Sequence, residues 1–96
     1  MTQRVTITTE ASVALQPLLK SAVRTELSML ELGLARTGER LRRFEEQFGM
    51  DSDEFMRRYS AGQIEETLDL IEWAGEVRTL EILREQQKAL EELRFS

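Results

Sequence analysis

The 96 residues predict an all-α fold. It is an antiparallel hairpin of two long helices with a short corner helix between them, preceded by a short extended N-terminal segment and forming a four-helix bundle on dimerisation. Three observations predict it. Apolar residues recur at helical spacing over two stretches of roughly 30 residues each. Glycine interrupts that periodicity at Gly49 and Gly62, where helices are expected to stop. The composition is 32% charged and 41% hydrophobic with a single proline, which suits long helices with wetted outer faces.

The elements follow in order within one domain, 1–96. Residues 1–9 form an extended arm or strand, because Arg4-Val5-Thr6-Ile7-Thr8 alternates polar and apolar with β-branched residues. The rest of the chain offers no evident second strand, so this segment is expected to pair with its copy in another subunit or to lie along the helices. Thr8, Thr9 and Glu10 begin a helical turn, and Pro17 suits the first turn of the main helix, where its missing N–H costs little.

The first long helix spans about 10–48. Val23, Leu27, Leu30, Leu34, Thr37, Leu41, Phe44 and Phe48 step in a strict 4-3-4-3 pattern, a heptad seam. A second seam, Leu15, Leu18, Ala22, Thr25, Met29 and Leu32, runs beside it over the first half only. One antiparallel neighbour cannot cover so wide an apolar arc. Leu15, Leu18, Ala22, Met29 and Leu32 are therefore the expected oligomer interface, in a homodimer or tetramer.

Gly49 ends that helix, and Asp51 with Glu54 three residues on offers a capping box for a short helix over about 52–61. The last helix is expected over about 64–93, with Leu70, Trp73, Val77, Leu80, Leu83 and Leu90 as its stripe. Ile64, Leu68 and Ile71 broaden that stripe early.

Charge is unevenly placed. The net charge is −5, and residues 51–96 carry twelve Asp/Glu against six Lys/Arg. Such a balance suits a basic partner and argues against nucleic acid. Arg36, Arg40, Arg42 and Arg43 are interrupted by Glu39, Glu45 and Glu46 and have no aromatic platform among them, so a salt-bridged face is the simpler reading. A strand before a helix faintly resembles ribbon-helix-helix DNA binders, but the first helix is too long for that fold.

Glu65, Asp69, Glu72 and Glu76 stack at helical spacing, and like charges so placed need a cation opposite. Arg36, Arg40 and Arg43 share that spacing. Folding back about residue 56 puts Arg43 opposite Asp69, Arg40 opposite Glu72 and Arg36 opposite Glu76.

The chemistry available is narrow. With no cysteine and no histidine, disulfides, thiolate zinc and imidazole catalysis are excluded. No catalytic residue, metal ligand or cofactor is assigned. The alternative is Glu66-x-x-Asp69-x-x-Glu72 presenting oxygen ligands to Mg²⁺, as the clustered carboxylates of all-α nucleotide pyrophosphatases do. The first helix has no matching acidic pair to face them. No apolar run reaches a membrane span and residues 1–10 hold no apolar signal core, so a soluble cytoplasmic protein is expected.

Phe44-Glu45-x-x-Phe48-Gly49-Met50-x-Ser52-x-Glu54-Phe55, then Gly62 and Asp69-x-Ile71-Glu72-Trp73-x-Gly75-Glu76, resembles a family of small prokaryotic all-helical proteins that act as antitoxins of toxin–antitoxin pairs. The likeness covers about residues 44–76. It implies a non-catalytic module that neutralises a small, toxic, basic protein by wrapping or occluding it. The physical reading alone nominates Phe55, Tyr59, Asp69, Glu72 and Trp73 as partner-binding residues, an aromatic corner beside an acidic face. A self-assembling structural oligomer is the other class that the two seams permit.

Overall fold

The computed structural model describes residues 3–6 and 15–95. In chain order these form β1 (Gln3–Val5), α1 (Leu15–Phe48), α2 (Ser52–Ser60), α3 (Leu68–Glu91) and β2 (Leu93–Phe95). The two long helices, α1 and α3, pack against each other, with α2 at the corner between them. The expected hairpin of helices is therefore what the chain forms.

Its ends differ from expectation. β1 pairs in parallel with β2, Gln3 with Leu93, Arg4 with Arg94 and Val5 with Phe95. The expectation that no second strand exists is thus corrected. The last helix stops at Glu91 instead of running to residue 93, freeing Leu93-Arg94-Phe95 for the pairing. Parallel strands need a long crossover, and the whole helical hairpin supplies it. The expected helical turn at Thr8–Glu10 and the start of the first helix at residues 10–14 lie outside the described residues.

Local rules explain the corner. Pro17 is in the first turn of α1, where its missing donor is no loss. Gly49 adopts φ 63° and Gly62 φ 70°, the left-handed conformation a helix stop requires. At each stop the following N–H reaches back to an end carbonyl, Met50 to Glu45 at 3.2 Å and Gln63 to Arg58 at 2.9 Å. Asp51 caps α2 by accepting from the Glu54 N–H at 2.8 Å. The reciprocal half of the capping box does not form. Glu54 turns instead to Arg57 and Arg58, and Glu45 reaches across from α1 to accept from the Ser52 N–H at 2.7 Å.

The third helix starts four residues later than its apolar pattern implies. Thr67 is the cap, its Oγ1 accepting from the Leu70 N–H at 3.2 Å, and residues 61–67 link the helices without being helical. This linker sets the register of the hairpin. Arg40 Nη1 lies 3.7 Å from Glu76 Oε2, and the space at Gly33 is closed by Leu83, whose Cδ1 would sit 3.3 Å from an added Cβ. Seven residues separate Gly33 from Arg40, and seven separate Glu76 from Leu83. The helices thus fold back about residue 58, one turn from the expected register. Arg40, not Arg36, pairs with Glu76.

Buried residues concentrate at the corner. Leu41, Phe55, Leu70 and Trp73 form the core, flanked by Phe44, Met50, Met56, Tyr59, Ile64, Ala74, Val77 and Leu80. The first seam of α1 faces this core, and Leu30, Thr37 and Leu41 along it are buried. Because Gly33 is level with Leu83, the last residue of α3, Glu91, is level with about Thr25. The first ten residues of α1, ~15 Å of helix, extend beyond α3.

Candidate protein-interaction site

The aromatic corner is built by three helices meeting. Phe55 stacks on Trp73 with ring centroids 3.9 Å apart, and Phe44 and Phe48 stack on the same indole at 5.7 and 5.5 Å. Trp73 and Phe55 are both 0% exposed. The folded hairpin encloses these two residues, and in the single chain they hold α2 against α1 and α3. Tyr59, half-buried at the rim, stays within reach of solvent, and Asp69 and Glu72 are exposed.

The stack of four carboxylates loses its first member because α3 begins at Leu68, leaving Glu65 outside the helix. Glu66 is also outside it, and its Oε1 accepts from the Tyr59 hydroxyl at 3.0 Å. That bond raises the Tyr59 pKa from its usual value, helped by desolvation and by the Glu66 charge. Glu66 is therefore not in line with Asp69 and Glu72, as the Mg²⁺ reading needs. Among the described residues no group of three or more His, Cys, Asp or Glu is placed to hold a metal ion.

Between α1 and α3 runs a groove of ≈ 370 Å³ lined by Arg40, Arg43, Phe44, Gln47, Asp69, Glu72 and Glu76. The expected opposition of arginines and carboxylates exists here, shifted by one turn. Only Arg40–Glu76 closes to an ion pair, and Glu76 Oε2 is buried there with no hydrogen bond. Among the described residues Glu65, Asp69 and Glu72 form no ion pair.

Two exposed apolar surfaces complete the picture. At the start of α3, Leu68 is 85% and Ile71 48% exposed, alternating with Asp69 and Glu72. Sequence reasoning placed Leu68 and Ile71 on the buried stripe. The late start of α3 and the shifted register turn them outward. On α1, Leu18, Met29 and Leu32 of the second seam are 60%, 61% and 58% exposed; Ala22 is exposed and Leu15 half-buried. The seam singled out as an oligomer interface is thus an uncovered apolar face of the single chain.

Comparison with protein-family models, with curated proteins and with solved structures returned no match. Among the described residues no helix is long and apolar enough to cross a membrane.

Proposed function

We propose that the chain is a non-catalytic protein-interaction module of the antitoxin kind, which binds and neutralises a small basic protein through the first turns of α3. The observation that carries this reading is Leu68, 85% exposed beside Ile71 and interleaved with the exposed carboxylates of Asp69 and Glu72. Leucine at that exposure on a helix has no role in the hairpin's own core, and carboxylates without an ion pair leave charge for a cationic partner. Apolar anchors ringed by charge combine contact area with steering, the combination that makes an interface fast and specific. The resemblance over about residues 44–76 supplies the antitoxin part of the proposal. The absence of histidine and cysteine agrees with binding rather than chemistry.

The test uses the tagged full chain and two variants, Leu68→Ser with Ile71→Ser, and Asp69→Asn with Glu72→Gln, in the native lysate. A small basic protein retained in equal amount by the wild type and lost by both variants is expected, with retention falling as salt rises. That protein expressed alone should arrest growth, and co-expressed wild type should relieve the arrest. Retention unaffected by either variant, or a captured protein without effect on growth, overturns the reading. The second seam of α1 favours self-assembly as an additional property.

A further inference from the structure

The outer face of α1 has a symmetry that its sequence spacing alone does not explain. Leu15, Leu18, Ala22, Thr25, Met29 and Leu32 step by three and four residues along ~26 Å of helix. Read from either end, the order is large, large, small, small, large, large. Positions flanking this line are Leu19, Glu26 and Gly33 on one side and Ser21, Ser28 and Ala35 on the other, a single charge among six. Ser28 Oγ already donates to the Arg24 carbonyl at 3.2 Å, so its donor makes no demand on water. Beyond Leu32 the same steps of four and three continue through charged residues, Arg36, Glu39 and Arg43.

We propose that this face pairs antiparallel with the same face of a second copy of the chain. Its two-fold axis passes between Val23 and Arg24. Leu15 then meets Leu32 of the second copy, Leu18 meets Met29, and Ala22 meets Thr25, each contact occurring twice as a two-fold axis demands. The large residues fill the ends of the seam, and the small pair at the centre lets the backbones approach.

Three features select this occupant and this direction. The palindromic order of sizes matches the face to itself. A parallel pairing would set Arg36, Glu39 and Arg43 each against its own copy, like charge on like charge, whereas the antiparallel one carries the two charged stretches to opposite ends. Sliding by one heptad one way would bring Arg36 onto Leu18, and the other way would leave the ends of the seam without partners, so charge and length together fix the register. The acidic surface at Leu68–Glu72 lies toward the other end of the hairpin and stays open. The pairing therefore stands or falls independently of the proposed partner.

The chain has no cysteine, so introduced thiols are the only ones present. Leu18→Cys and Met29→Cys are made singly in the full chain, both at exposed positions, with helicity checked by circular dichroism. The expected result is a disulfide-linked dimer when the two variants are mixed and oxidised. Each variant alone should yield at least tenfold less. Light scattering of the wild type should give twice the chain mass, and Thr25→Arg, which places two cations at the centre of the seam, should weaken association at least tenfold with helicity unchanged. Equal cross-linking in each variant alone would mean a parallel pair and overturn the proposal. A monomeric wild type, or a dimer indifferent to Thr25→Arg, would overturn it too.

Discussion

Trp73 Nε1 donates to Ser52 Oγ at 3.0 Å, tying the buried face of α3 to the first residue of α2. The same indole lies against Phe55, Phe44 and Phe48. One side chain thus touches all three helices and has its single polar atom satisfied. The corner is specified by this hub more than by the charges around it.

Ser52→Ala should therefore destabilise the fold by about 1–3 kcal/mol, the cost of leaving a buried N–H without an acceptor. Trp73→Ala should cost more, about 3–5 kcal/mol, by opening a cavity among three phenyl rings. Urea unfolding followed by circular dichroism measures both. An unchanged slope with a lowered midpoint is expected for Ser52→Ala, and an unaltered midpoint would show the bond to be dispensable.

Two carboxylates serve the start of α2. Asp51 accepts from the Glu54 N–H and Glu45 from the Ser52 N–H, both where the helix dipole favours negative charge. Asp51→Ala is expected to cost about 1 kcal/mol. Glu45→Ala should cost a similar amount although it lies on another helix, and the double variant should differ from the sum, since both act on one helix end. Thermal unfolding of the four proteins checks this, and strict additivity would mean that the two bonds act separately.

How much of this was legible in the sequence depends on the range of the signal. The stops at Gly49 and Gly62 and the Asp51 cap are local rules, and each is where the residues put it, whereas the last helix is shorter at both ends than its apolar pattern implied. The pairing of arginines with carboxylates was legible in kind but displaced by one turn. Register depends on the linker at 61–67, and the apolar Ile64 made that segment look helical. Trp73 on its apolar stripe read first as core, and with Phe55 also as an anchor cluster, because burial is decided by what packs around the residues. The β1–β2 pairing joins the two ends of the chain, and three-residue strands leave almost no periodic signal. Leu68 and Ile71 looked buried until the cap at Thr67 fixed which way α3 turns.

Gly38 and Gly75 lie inside helices, and an added Cβ at either meets nothing within 4 Å. Their backbones are free of positive φ. Gly38→Ala should therefore stabilise the chain by about 0.5–1 kcal/mol through the lower entropy of the unfolded state. Gly33→Ala should gain less, because the new methyl meets Leu83 Cδ1 at 3.3 Å and that side chain must move. Denaturation midpoints ordered otherwise, with Gly33→Ala the more stable, would contradict the packing of α1 on α3 at this level.

The Tyr59–Glu66 bond makes a pH-dependent contribution whose sign follows from the raised tyrosine pKa. Folding favours the protonated phenol, which donates to the carboxylate, over the phenolate, which repels it. The contribution is thus complete below the ordinary tyrosine value near 10 and is lost as pH rises through the higher folded value. Since Tyr59 is the only tyrosine, phenolate absorbance near 295 nm reports on it alone. The wild-type midpoint should lie above that of Glu66→Ala. At neutral pH, Glu66→Ala should be the less stable protein, and the gap in stability should narrow as the solution passes into the alkaline range. Coincident titration curves would mean that the hydroxyl of Tyr59 does not hold Glu66, and the linker before α3 would then lack the tie that positions it against α2.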